Sequence, residues 1–131
     1  MLFMSAAHVR AMNQVVRQST ELQALTAKLP REVSLTYELR EAPAGETVYW
    51  TLRTGPGGTE FSLSKPDRPP DVTIRATWVE VIRAARAGRK GEHHPVELEV
   101  RGDESILRTI EDVLAVVRRV ATFDCEFPAT P

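Results

Sequence analysis

A chain of 131 residues, 42% hydrophobic and 27% charged, can enclose one core of ordinary domain size. Seventeen Lys and Arg against eighteen Asp and Glu leave a net charge of −1, which excludes the basic excess that nucleic-acid binders rely on. The one cysteine, Cys125, excludes an internal disulfide and a cysteine-based zinc site, and fits a reducing, cytoplasmic setting.

Met1-Leu2-Phe3-Met4 lacks the basic start of a secretory signal. No apolar run approaches ~18 residues, so no stable membrane insertion is expected. Ser5 to Leu29 carries Val9, Met12, Val16, Leu22, Leu25 and Leu29 along one side. It is expected to be one helix, weakened at Ser19-Thr20 and stopped by Pro30. Three alternating stretches follow. Val33, Leu35, Tyr37 and Leu39 alternate with Ser34, Thr36, Glu38 and Arg40. Val48, Trp50 and Leu52 alternate with Thr47, Tyr49, Thr51 and Arg53, and Phe61 and Leu63 with Glu60, Ser62 and Ser64. Turns at Ala42–Gly45 and Gly55–Gly58 make these a meander of two hairpins.

Lys65 to Pro70 holds three prolines and is an irregular connection. Val72 and Ile74 mark a short fourth strand. Thr77 and Glu80 form a capping box for a helix with Trp78, Val81, Ile82 and Ala85 on its buried side, ending at Gly88. Arg89 to His94 is a polar loop. Val96, Leu98 and Val100 then alternate with Glu97, Glu99 and Arg101 as a fifth strand. Gly102 turns the chain and Asp103 caps one long helix bearing Ile106, Leu107, Ile110, Val113, Leu114, Val117 and Val120. Burying seven such groups is worth roughly 10–20 kcal/mol gross, more than any other stretch offers. Asp124 to Pro131 has no pattern and is expected to be a flexible tail beyond a single domain of residues 1–123.

Every strand has one apolar and one polar face, whereas a sheet covered on both sides would show continuous apolar runs. The fold class expected is α+β: a two-layer sandwich with a five-stranded mixed sheet, one face wet and all helices on the other. A right-handed parallel crossover is available to strand four, its helix and strand five.

Few residues point to chemistry. His93 and His94 are adjacent on a loop, point apart and have no third ligand, so no metal is expected. Gly55-Pro56-Gly57-Gly58 lacks the Gly-Lys-Ser/Thr ending of a phosphate loop and lies between strands. Asp103 fills the anion site that the Gly102-Asp103 corner would otherwise offer. Glu38, Glu60, Glu97 and Glu99 share the polar sheet face with Arg40, Arg53, Arg75 and Arg101, the pattern of cross-strand ion pairs. Cys125 has no orienting base. No catalytic residue or cofactor is therefore expected. Tyr37, Trp50, Phe61, Trp78, Ile82, Leu107, Ile110 and Leu114 either fill the core or line a hydrophobic cavity, and pattern alone does not choose.

Pro70-Asp71-Val72-Thr73-Ile74-Arg75, with Trp78-Val79-Glu80-Val81-Ile82 and Gly88, is similar to the middle of the sterol carrier protein 2 domain. Val96 to Asp103, with Leu107 and Ile110, resembles that family's closing strand, Gly-Asp corner and last helix. The match spans residues 70–115; the meander agrees in pattern only. The resemblance implies a mixed five-stranded sheet with helices on one face, and a tunnel between them for fatty acids, fatty acyl-CoA or sterols. It implies carriage without catalysis, and a last helix that sets Leu107, Ile110, Val113 and Leu114 against the ligand. The expected site is thus Tyr37, Trp50, Phe61, Trp78, Ile82, Leu107, Ile110, Val113 and Leu114. The family usually has a short apolar helix where this chain has Arg89–His94, so part of the tunnel wall is expected to be missing. Two other readings stay open: an interaction or regulatory module with a degenerate lipid pocket, forming a homodimer through the exposed sheet face or an open sheet edge, and an enzyme using Tyr37 as the polar group in the cavity.

Overall fold

In a computed structural model describing residues 1–131, the alternating stretches become five strands: β1 (Val33–Arg40), β2 (Val48–Gly55), β3 (Gly58–Ser62), β4 (Val72–Thr77) and β5 (Glu99–Gly102). They form one sheet in the order β3-β2-β1-β4-β5. β1 and β4 are parallel, and the other neighbours are antiparallel. The hairpin register sets Leu35 opposite Leu52 and Tyr37 opposite Trp50, so apolar residues share one face.

Five helices cover that face: α1 (Ala6–Gln18), α2 (Thr20–Thr26), α3 (Trp78–Arg89), α4 (Ser105–Thr109) and α5 (Glu111–Val120). Met12, Val16 and Leu22 of the first two, and Ile106, Ile110, Val113 and Val117 of the last region, pack with Leu35, Leu52, Phe61 and Ile74 in one large core cluster. A smaller cluster joins Trp78 and Ile82 of α3 to Leu39, Ala42 and Ala76. The architecture is the expected α+β sandwich with helices on one side. On the other face Glu38 meets Arg75 at 3.2 Å and Glu60 meets Arg53 at 3.0 Å, both across strands. Thr36 and Thr51 lie buried in the middle of that face, their hydroxyls 2.9 Å apart, so it is not wet throughout.

Several details differ from the sequence reading. The first helix is two, because Ser19 is extended (ψ 107) and its hydroxyl accepts from Leu22 N–H to cap α2. The last helix breaks at Ile110 (φ −105, ψ 13). β4 and β5 are antiparallel, so they do not form the parallel crossover; the parallel pair is β1 and β4. β5 starts at Glu99, and Val96 and Leu98 leave the sheet. Thr77 makes no side-chain cap, and Glu80 turns to Arg83 and His94 instead. Residues 124–131 form no helix or continuous strand, yet Glu126 bridges to Leu2, and Arg86 donates to Pro128 O at 2.6 Å.

Candidate ligand-binding cleft

The two core clusters do not merge. Between them lies a cleft of about 550 Å³, within the usual range for small-molecule sites. Its origin is the small side chains of α3: where a large residue would close the gap, Ala84 and Ala85 face it, beside Val81. Leu39, fully buried, forms the floor with Tyr37 and Trp50 of the sheet. Val96 and Leu98, off the sheet, supply a wall directly after the polar Arg89–His94 loop, and Leu98 is 50% exposed.

The opposite wall is the N-terminal segment. Phe3 and Met4 line the cleft, and the Phe3 ring centroid lies 6.4 Å from Trp50, 5.3 Å from His8 and 5.0 Å from Phe127. Phe3 N–H donates to Glu126 O at 2.8 Å, and Glu126 N–H to Met1 O at 2.9 Å. Met4 N–H donates to His8 Nδ1 at 2.9 Å. That bond needs the neutral ring, because a protonated Nδ1 is itself a donor. Burial lowers the His8 pKa, and Arg89 and the N-terminal ammonium add to the effect. The fold therefore prefers neutral His8. Above pH about 6.5 both folded and unfolded rings are neutral and nothing is lost; as pH falls below that, the unfolded chain takes up the proton first and stability drops. The melting temperature is expected to fall between pH 7 and pH 5. The fall should be smaller in His8→Asn, whose amide oxygen can still accept from Met4. Equal slopes in the two proteins would remove His8 from this role.

Two polar groups reach the otherwise apolar lining. Arg118, exposed on α5, is the only charged residue there. Tyr37 has its phenol pKa raised by burial, an effect Arg118 partly opposes. No carboxylate, histidine or cysteine lines the cleft.

Other hollows differ in kind. One of about 700 Å³ at the β2–β3 turn is walled mainly by Arg17, Gln23, Thr26, Glu32, Arg53 and Glu60. Another, of about 680 Å³, is lined by Arg40, Arg75, Glu80, Glu97 and Glu99. Both are lined mainly by polar and charged residues, with only two hydrophobic residues in each. His94 lies 2.8 Å from Glu80 rather than beside a further ligand, and no three His, Cys, Asp or Glu residues are grouped to hold a metal ion. Cys125 is half-buried, and burial pushes its thiol pKa up.

Of the nine residues proposed from sequence, Tyr37 and Trp50 line the cleft. Phe61, Trp78, Ile82, Ile110 and Val113 are buried inside the two core clusters. Leu107 and Leu114 pack partly exposed against the larger cluster. The structure thus places these seven outside the cleft lining. Residues the pattern did not single out are Phe3, Met4, Ala84 and Arg118. The apolar start of the chain and the Ala84-Ala85 pair were the available signals.

No family model and no curated protein sequence matches the chain. Solved structures do. A crystal structure of sterol carrier protein 2 superposes with a TM-score of 0.58 at 17% identity, over 91% of this chain and 96% of that one. The fold is that of sterol carrier protein 2. The sterol carrier protein domain 2 of Helicoverpa armigera gives 0.52 at 16% identity, covering 92% of this chain and 91% of the other. UbiJ-SCP2, a ubiquinone synthesis protein, gives 0.51 at 18%, covering 86% and 93%. In this sterol-carrier-like fold, the cleft sits between the sheet and the helical layer.

Proposed function

We propose that this chain binds a hydrophobic small molecule in the cleft, as a carrier or presenter that performs no chemistry on it. The ligand classes are a fatty acid, a fatty acyl-CoA or a sterol-like lipid. The observation that carries the reading is a cleft of about 550 Å³ between two unmerged core clusters, with ten of its eleven lining residues hydrophobic. Water there gains little from its walls, and an acyl chain would replace it at a profit of roughly 25 cal/mol per Å². Some 300 Å² of contact, an order-of-magnitude figure, is worth about 7 kcal/mol before ordering costs. The sterol-carrier-like fold supports the same reading. The lining offers no side chain suited to be a nucleophile or general base at neutral pH, which favours carriage over catalysis. No helix is long and apolar enough to cross a membrane.

Native mass spectrometry of the protein with added C12–C16 chains checks this. One bound chain per protein is expected, retained at low activation energy. No adduct with any lipid class would overturn the proposal.

A further inference from the structure

We infer that the cleft selects a single-chain carboxylate over a neutral lipid of the same length, the carboxylate being received at the rim by the Arg118 guanidinium and the Tyr37 hydroxyl. The inference rests on the cleft being a lipid site and goes on to say which lipids it prefers. Arg118 and Tyr37 belong to different elements, α5 and β1, yet border one cavity. They are close enough for the charge of Arg118 to act on the Tyr37 phenol.

Neither group is satisfied by the protein. Arg118 enters none of the ion pairs, whereas its neighbour Arg119 meets Glu21 at 2.6 Å. The cations of α3 are engaged elsewhere: Arg83 and Arg86 bond the backbone oxygens of Pro131 and Pro128, and Arg86 and Arg89 lie over the Phe127 ring. The acids next in sequence to the lining residues are engaged outside the cleft: Glu80, Glu97 and Glu99 line an adjoining hollow with Arg40 and Arg75, and Glu38 pairs with Arg75 on the other sheet face. The cleft therefore holds one cation with no anion, at the exposed end of an apolar cavity whose floor is the fully buried Leu39.

A ligand matching this lining has a long apolar body and one negative head. A carboxylate can accept two parallel bonds from a guanidinium, and a phenol can add a third. A hydroxyl head offers a single weak partner and leaves the charge unmet. Because Arg118 is exposed at the rim, the charged contact stays modest and sensitive to salt.

Calorimetric titration with dodecanoate and dodecanol, which share one chain length, separates the terms. The native protein is expected to bind dodecanoate about tenfold more tightly, the effect of one charge-assisted contact. Arg118→Gln should bring the two affinities within about twofold, with most of the loss falling on dodecanoate. Arg118→Lys should keep part of the preference, Tyr37→Phe should reduce it, and added salt should shrink it in the native protein. Arg118 is exposed, so its replacement leaves the core intact. Equal native affinities, or a preference that survives Arg118→Gln, would overturn the inference and leave the lipid site standing. Binding of neither chain would overturn both.

Discussion

Replacing Gly102 by Ala is expected to cost about 3 kcal/mol or more, lowering the melting temperature by roughly 10 °C. Gly102 has φ +99, a conformation that side chains rarely adopt. A Cβ there would sit 2.3 Å from the carbonyl oxygen of Asp71 and 3.3 Å from Cα of Val72. Neither can retreat easily. The Asp71 carbonyl accepts the Asp103 N–H at 2.9 Å. The Asp71 carboxylate accepts the Ser34 N–H at 2.8 Å and an Arg31 guanidinium N–H at 2.9 Å, and Arg31 lowers its pKa. This corner ties β1, β4 and β5 together where the chain leaves the sheet for α4. Chemical denaturation measures the loss, and a change under about 0.5 kcal/mol would show that the backbone can relax here after all.

Ala85→Trp is expected to weaken binding of any acyl ligand by at least about a hundredfold while changing stability by under about 1 kcal/mol. Ala85 is half-buried on α3 and faces open space in the cleft. A large side chain grown from it enters the volume the ligand needs and displaces nothing from the packed clusters. The contrast between binding and stability is what a cavity predicts. A cleft that was merely loose core would be strengthened by filling it, with no binding to lose. Unfolding curves and ligand titrations on the same preparation give both numbers.

The sheet was legible in the sequence because alternation in β1 and β2 is strict, and pairing Tyr37 with Trp50 puts both large rings on one face. The helix breaks were not legible. Apolar spacing continues through Ser19 and Ile110, because the residues on each side of a bend still face the same core. Alternation at Val96 and Leu98 shows that one side is apolar and the other wet, but not that the apolar side meets a cleft instead of helices. The buried Thr36–Thr51 pair was hidden too, since two hydroxyls that satisfy each other can be buried at little cost. The cleft itself left the weakest trace. A void is an absence of side chains, so residues that border it, such as Ala84 and the N-terminal Phe3, carry no apolar periodicity that marks them, whereas Ile82 and Ile110 do. Both isoleucines turn out to be fully packed.

The fluorescence of Trp50 tests the binding cleft most directly. The chain has two tryptophans; Trp78 is buried outside the cleft lining, so Trp78→Phe leaves a single reporter on the cleft wall. Titrating that protein with dodecanoate below its micelle concentration should shift the emission to shorter wavelength and saturate at one chain per protein, and the shift should vanish in the additional presence of Ala85→Phe. Emission that stays constant throughout the titration would contradict a lipid-binding cleft at this position.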